Sequence, residues 1–250
     1  MRTKTLLIAA AALAVGIISS EAQVYSQNIV GYANVVTPGN GATYFAMSVP
    51  FNVGLSNGAN EVFGTSLPDD SLIETWDQVN QQVDVALWDS QGPNGAGWYD
   101  LTDTYTVPVP TLPTGQGFFL VPYGNITNTF SGAVAVSVGG TNTTTLPGNG
   151  ATYFLVGSTI PFTGYVTNVV TGTSVGINLN NLPDDSLIEQ WDVPSQSFIV
   201  SLYDSQGPNG PGWYDLTDTY SVPCPSINVA DGFFSVPYGT YNWVQALPSN

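Results

Sequence analysis

The amino-acid sequence predicts an all-β fold made of two tandem homologous units, each a β-sandwich or a partly open barrel. The first observation is an internal duplication: residues 67–124 recur as residues 182–239, and 39 of the 58 aligned positions are identical. The second is that no stretch shows a sustained helical period of apolar residues. The third is that turn sequences such as PGNG, LPDD, GPNG and VPYG recur about every 8 to 12 residues, which is typical of short antiparallel strands.

The chain begins with a segment typical of a secretory signal peptide, residues 1–22. Arg2 and Lys4 give it a positive start, residues 6–18 are apolar, and Ser20-Glu21-Ala22 is a small-x-small cleavage site. The apolar run is shorter than the roughly 20 residues that a membrane-spanning helix needs. We therefore expect a secreted protein, periplasmic, extracellular or at the cell surface, without membrane insertion.

The two units are expected to span residues 23–130 and 131–250. The sequence PGNGATYF starts at residue 38 and again at residue 147, an offset of 109, and the offset is 115 from LPDD onward, so the second copy carries six extra residues. Apolar, β-like runs at residues 29–36 and 132–138 precede the two copies. Residues 139–145 are therefore interpreted as a loop of the second unit.

Each copy is expected to contain a β-hairpin, formed by residues 72–76 and 83–88 in the first copy. Comparing the copies assigns faces to the strands, because an inward face should stay apolar. Val83, Val85 and Leu87 stay apolar in the second copy, which predicts that they face the core, whereas the alternating positions change and should have looser surroundings. The same comparison predicts that Phe119 and Val121 point inward.

The chain after residue 22 has an unusual charge composition. Arg2 and Lys4 are the only basic side chains, His is absent, and 17 of the 18 acidic residues remain because only Glu21 lies in the signal segment. No ion pair between side chains and no basic patch can form in the mature chain, which excludes nucleic acid and anionic lipid surfaces as electrostatic partners. Solubility must come from neutral polar residues, as suits an exported structural, adhesive or binding protein.

The duplicated loop DSQGPNG and the segment after it suggest a calcium site, because calcium prefers carboxylate, amide and carbonyl oxygens on loops. The candidate ligands are Asp89, Asn94, Asp100 and Asp103, with Asp204, Asn209, Asp215 and Asp218 in the second copy. With no cation to pair with, such a cluster repels itself unless a metal ion or backbone NH groups intervene. The alternative is that Asp89 and Asp103 accept backbone hydrogen bonds in turns and that Asp100 is a solvated loop acid.

The same loops carry aromatic pairs that suggest a carbohydrate-binding surface: Trp98, Tyr99, Trp213 and Tyr214. Flat rings beside a few hydrogen-bonding side chains are typical lining of a ligand site. The alternative is that these rings cover the ends of the β core, since aromatic residues dominate the packing of small β domains. Exposure of Trp98 and Trp213 on a shared groove distinguishes the two interpretations.

Few groups in the mature chain can support catalysis. The absence of His excludes Ser–His and Cys–His pairs, and the absence of Lys and Arg excludes Schiff bases and phosphate clamps. A glycosidase-type carboxylate pair remains, with Glu74 and Asp77, or Glu189 and Asp192, as candidates. Residues three apart on a strand point to opposite faces, which argues against both pairs.

The order of these motifs resembles a family of uncharacterised secreted bacterial proteins. That family has a signal peptide, a start similar to VYSxNxVGY, and repeated units with LPDxxxxxxW, an acidic glycine-containing loop before GW, and GxGFF. The corresponding segments here are residues 24–32, 67–76, 89–98 and 115–119, so the resemblance covers most of the mature chain. The resemblance implies export and a β-rich fold, and it implies no catalytic residue.

The first functional hypothesis is a non-enzymatic exported protein with a structural or adhesive role at the cell surface or in a matrix, with calcium as its candidate cofactor. The second is a carbohydrate-binding module with a polysaccharide or cell-surface partner. An acid-pair glycosidase is the third.

Overall fold

The computed structural model describes residues 29–64, 66–136, 139–168 and 174–248. The predicted signal peptide and most of the VYSxNxVGY-like start lie outside these residues. The described residues form sixteen β-strands and one short helix, which confirms the all-β fold class. None of their helices is long and apolar enough to cross a membrane.

The first unit contains seven strands and the helix. The strands are β1 (Val30–Thr37), β2 (Phe45–Ser48), β3 (Ser71–Asp77), β4 (Gln82–Asp89), β5 (Gly97–Tyr99), β6 (Gly117–Val121) and β7 (Ile126–Ala133). Helix α1 (Ala59–Phe63) lies between β2 and β3. The second unit contains β8 (Thr141–Pro147), β9 (Phe154–Gly157), β10 (Gly164–Tyr165), β11 (Ser186–Asp192), β12 (Ser197–Asp204), β13 (Gly212–Tyr214), β14 (Ser226–Ile227), β15 (Gly232–Val236) and β16 (Thr240–Ala246).

Each unit has a five-stranded antiparallel sheet and a two-stranded antiparallel ribbon. The sheets have the orders β2-β6-β3-β4-β5 and β9-β15-β11-β12-β13, and the ribbons are β1-β7 and β8-β16. The second unit also pairs β10 with β14. The antiparallel pairing of β3 with β4, and of β11 with β12, confirms the predicted hairpin in both copies. Neither large sheet closes on itself, so the units are sandwich-like.

The core of each unit lies between one face of the large sheet and the ribbon. In the first unit Ile73 and Phe118 from the sheet pack in one cluster with Phe130 of β7, and Phe63 of α1 contacts both phenylalanine rings edge to face. In the second unit the ribbon contributes Trp243 of β16 to the core, and this side chain is fully buried. The described residues between β9 and β11, 158–168 and 174–185, contain no helix.

Residues 139–145 are not a loop as predicted, because β8 begins at Thr141 and pairs along its whole length with β16. The segment is rich in threonine, a β-branched residue that suits strands. Exposed and partly buried side chains alternate along β8, and Leu146 near its end is buried. Residues 132 and 133 belong to β7, which pairs with β1, and the expected division after residue 130 falls within that strand.

The predicted core face of β4 is wrong. Ala86 is buried in the first core, as is its counterpart Ser201 in the second unit, whereas Val83 is 43% exposed. The face that carries Val83, and Phe198 in the second copy, lines a space between the two units. Contact with the other unit, rather than with the core, accounts for its apolar character. Phe119 is buried as predicted, but it packs at this junction.

Candidate functional site

The two units meet through equivalent residues that bind each other reciprocally. The Trp76 indole NH donates to the backbone oxygen of Tyr153 at 2.8 Å, and the equivalent Trp191 indole NH donates to the backbone oxygen of Tyr44 at 2.8 Å. Each tryptophan therefore reaches across the junction to the other unit. The match of partners and distances shows that the units are related by an approximate two-fold axis.

Two glutamine side chains complete this arrangement. The amide oxygen of Gln81 accepts from the backbone NH of Tyr153 at 2.7 Å, and that of Gln196 accepts from the backbone NH of Tyr44 at 2.7 Å. Both glutamines have left-handed backbone conformations, with φ of 54° and 49°, in the turns of the β3-β4 and β11-β12 hairpins. The hairpin turn of each unit thus binds the backbone of the residue that directly precedes β9 or β2 in the other unit.

Between the units lies a pocket of about 370 Å³, which we call the inter-unit cleft. Phe119 and Phe234 form its buried floor, with 8% and 6% exposure. Trp76 contacts Phe234 edge to face at 5.1 Å between ring centroids, and Trp191 contacts Phe119 in the same way at 5.6 Å. The cleft is lined by five residues from each unit: Tyr44, Glu74, Trp76, Val83 and Phe119, and Tyr153, Glu189, Trp191, Phe198 and Phe234.

Glu74 and Glu189 are the two acidic residues of this aromatic lining. Both are half-buried, and desolvation raises the pKa of each carboxyl group above its usual range. The Tyr44 hydroxyl lies beside Glu74; burial, followed by the negative charge of Glu74, raises the pKa of Tyr44. Residues 5–250 contain no Lys, Arg or His, so no side chain there can neutralise the pair.

Sequence reasoning missed the cleft, although a signal was present. Glu74 and Trp76 are two apart on β3, so they share a face, and both recur at the same spacing in β11. A glutamate and a tryptophan on the same face of a duplicated strand indicate that both copies present the same surface to a contact. What the sequence did not contain was the information that these two faces oppose each other.

The predicted metal ligands lie at the far end of the hairpins, where Asp89 and Asp204 are each 8% exposed. Asp89 accepts from the backbone NH of Gln91 at 2.7 Å, as the turn interpretation predicts. Asp103 has a left-handed φ of 54°, and partial desolvation, followed by the charge of Asp89, raises its pKa. The second copy repeats this arrangement, and the buried Oδ1 atom of Asp218 has no hydrogen-bond partner among the described residues.

Asp100 is a turn acceptor rather than a solvated loop acid. Its carboxylate accepts from the Thr102 hydroxyl at 2.7 Å and from the backbone NH groups of Thr104 and Tyr105 at 3.0 and 3.1 Å, and these bonds lower its pKa. Asp215 makes the equivalent bonds in the second copy.

The asparagines of the two loops share a backbone contact: the NH of Asn94 donates to the Tyr99 hydroxyl, and that of Asn209 donates to the Tyr214 hydroxyl, both at 3.0 Å. The Asn209 side chain also donates to the Ser221 hydroxyl at 3.2 Å. In the described part of the chain, no three acidic or cysteine side chains are grouped as a metal site.

The predicted carbohydrate surface is wrong, because all four of its rings are buried. Trp98 and Trp213 are 3% and 6% exposed and pack in the cores of their units, while Tyr99 and Tyr214 are at most 1% exposed. The Tyr99 hydroxyl donates to the backbone oxygen of Gly95 at 2.6 Å and so closes the GPNG loop around its own ring. These rings cover the end of the β core, as the alternative interpretation predicts.

The structure defines a duplicated all-β protein whose two sandwich-like units are joined face to face. No family model, curated protein or solved structure matches the chain in comparisons with known proteins.

Proposed function

We propose that the protein is a non-enzymatic exported protein with a structural or adhesive role at the cell surface or in an extracellular matrix. The reciprocal junction is the observation that supports this proposal. Two tryptophans and two glutamines bind each unit to the backbone of the other, and aromatic rings of both units pack against one another around the cleft. Such a junction holds the units in one orientation, which suits a building block that resists deformation. It uses no ion pair, so ionic strength has little effect on it.

The placement of the acids supports a non-enzymatic role. Asp77 accepts backbone hydrogen bonds from Val79 and Asn80 within its own hairpin turn, and these bonds lower its pKa, so it is not available as a partner for Glu74. Glu74 and Glu189 share the cleft, but the pKa of both is raised. A glycosidase needs one protonated acid and one ionised carboxylate in contrasting environments.

We expect loss of the protein to weaken attachment of the producing cells to surfaces without removing any glycan-degrading activity. The test compares the retention of cells on a solid support between a deletion strain and the same strain complemented with the wild-type chain. Fractionation of the cells determines where the protein is located. Complementation with Trp76→Ala/Trp191→Ala should restore attachment only in part, because that variant loses both indole hydrogen bonds across the junction. Leu55→Ala, at a fully exposed position, is the matched control.

Two results contradict this proposal. The first is unchanged attachment of the deletion strain. The second is glycan hydrolysis by the purified protein that Glu74→Gln abolishes, since this would indicate the glycosidase hypothesis instead.

We propose calcium as a stabilising ligand at the acidic ends of the hairpins. The specific observation is the Asp204–Asp218 pair, where a buried carboxylate oxygen has no donor among the described residues and faces another acid. A divalent cation there would remove the repulsion and supply the missing partner. Backbone oxygens and water would complete the ligand set.

We expect excess calcium to raise the thermal midpoint of the wild-type protein by several degrees relative to EDTA at equal ionic strength. Asp103→Asn/Asp218→Asn should abolish the response. Asparagine tolerates the left-handed backbone of these positions, so the variant removes charge without adding strain. An equal calcium response in both proteins would contradict the proposed site.

In the absence of calcium, Asp103→Asn/Asp218→Asn should also change how the stability of the protein depends on pH. Because the folded-state pKa of Asp103 and Asp218 is raised above 3.8, wild-type stability falls as pH rises through the raised values. The variant should therefore be more stable than the wild type at pH 7, and the difference should vanish below pH 3.8. Urea unfolding at a series of pH values measures it.

A further inference from the structure

We propose that the inter-unit cleft binds a small molecule that carries an alkylated ammonium group. This binding site is additional to the structural role, because the junction holds the units together through the tryptophan and glutamine hydrogen bonds without any ligand. The proposal rests on the shape, the charge and the lining of the cleft.

No basic side chain of residues 5–250 can act as a counterion for the acidic cleft. Glu74 and Glu189 line the same pocket, both are half-buried, and residues 5–250 contain no basic side chain. Holding two carboxylates away from water without a cation is unfavourable. Within the described residues the Tyr44 hydroxyl is the neighbouring group beside Glu74, and no side chain donates a hydrogen bond to Glu189. A cation that neutralises the two carboxylates therefore cannot be a side chain of residues 5–250.

The rings of the cleft select the kind of cation. Trp76 and Trp191 stand over a floor of Phe119 and Phe234, and tryptophan faces attract weakly hydrated organic cations most strongly among the side chains. An inorganic ion such as calcium needs six to eight oxygen ligands, which two carboxylates in an apolar pocket do not supply. A neutral sugar would leave the two acids without a counterion. A cation with methyl groups satisfies both the rings and the carboxylates.

The size of the cleft and the negative sign of its charge restrict the ligand further. A pocket of about 370 Å³ lies near the lower end of the range for small-molecule sites, roughly 300–1,000 Å³. The lining has no positive group that could bind a carboxylate or a phosphate. A simple cation such as choline should therefore bind better than a zwitterion of similar size such as glycine betaine.

The test titrates the purified protein with choline chloride at constant ionic strength, using tryptophan fluorescence and calorimetry. The comparison ligand is 3,3-dimethylbutan-1-ol, which has the shape of choline with a carbon in place of the nitrogen. We expect choline to bind at least about tenfold more tightly than this alcohol, and more tightly than glycine betaine. Choline affinity should increase as pH rises through the raised pKa values of the two glutamates, because the ionised carboxylates bind the cation.

Variants separate a role of the acids from an effect of net charge. Glu74→Gln/Glu189→Gln should weaken choline binding about tenfold or more and leave binding of the neutral alcohol unchanged. Asp84→Asn removes one charge from an exposed position of β4 outside the cleft and should bind choline like the wild type. Thermal midpoints of all variants show that they are folded.

Three outcomes would overturn the proposal: equal affinities for choline and the alcohol, no response of the wild-type protein to choline, or unchanged choline binding by the double variant. A fluorescence response to soluble oligosaccharides with no response to choline would assign the cleft to sugars instead. Failure here leaves the attachment experiment untouched, because that experiment uses cells and no added ligand.

Discussion

Trp98→Ala is expected to lower the free energy of unfolding by about 3–5 kcal/mol, as for other buried tryptophans replaced by alanine. The Trp98 ring is 3% exposed, packs in the first core, lies 5.4 Å from the Trp88 ring centroid, and donates its indole NH to the Asn60 side chain at 2.8 Å. Alanine leaves a large cavity and an unpaired amide oxygen. Trp213→Ala should have a similar effect in the second unit.

Urea unfolding at neutral pH measures both losses, and Leu101→Ala, at a 63% exposed position nearby, is the control that should change little. The conservative pair Trp98→Phe and Trp213→Phe tests the hydrogen bond. Trp98→Phe should cost about 1 kcal/mol more, because no bond of the Trp213 indole is present among the described residues. A near-neutral Trp98→Ala accompanied by lost polysaccharide binding would restore the sugar-surface hypothesis.

The sequence predicted the parts of the fold that depend on local chemistry. The hairpin between β3 and β4 follows from alternating apolar residues and a polar turn, in which Asp77 accepts two backbone NH groups. The closed GPNG loop follows from glycine, which adopts a φ of 95° at Gly95 without strain. Each of these features is decided by residues that are close in sequence.

The orientation of the strand faces depends on contacts that no single copy of the repeat contains. The two faces of β4 have different neighbours: Ala86 is buried against the core, and Val83 lines the inter-unit cleft. A comparison of copies detects that a face stays apolar, but it does not identify what covers that face. For the same reason, the sequence suggests Asp77 of the same strand as a partner for Glu74, whereas the acid that shares the cleft with Glu74 is Glu189 of the other unit.

The predicted calcium and sugar sites relied on the most strongly repeated loop. Repetition of DSQGPNG has a structural explanation in the buried Tyr99 and Tyr214 rings, whose hydroxyls organise the loop. A repeated segment can thus be retained because it folds, and its polar residues then serve the backbone. Asp100, whose carboxylate accepts three hydrogen bonds within its own turn, is the clearest case.

Gly157→Ala is expected to destabilise the protein by roughly 1–3 kcal/mol or more, because a Cβ atom at this position would overlap the Ser48 side chain. Ser48 and Gly157 are equivalent positions of the two copies, 109 residues apart, at the ends of β2 and β9. They meet each other at the approximate two-fold axis. A Cβ atom at Gly157 would have no space beside Ser48, and the two copies differ at this position, with serine in one and glycine in the other.

Ser48→Gly should therefore rescue Gly157→Ala. Alone, Ser48→Gly should cost about 1 kcal/mol, because its buried hydroxyl donates to the backbone oxygen of Asp231 at 3.0 Å. In the double variant the overlap with Ser48 is gone, so the two losses should not add, and the coupling in a double-mutant cycle of urea unfolding should equal most of the Gly157→Ala loss. Gly97→Ala, whose new Cβ would have no neighbour closer than 3.7 Å, is the matched control and should be nearly neutral. Additive losses would contradict direct contact between the two positions and, with it, the close approach of the two units at the axis.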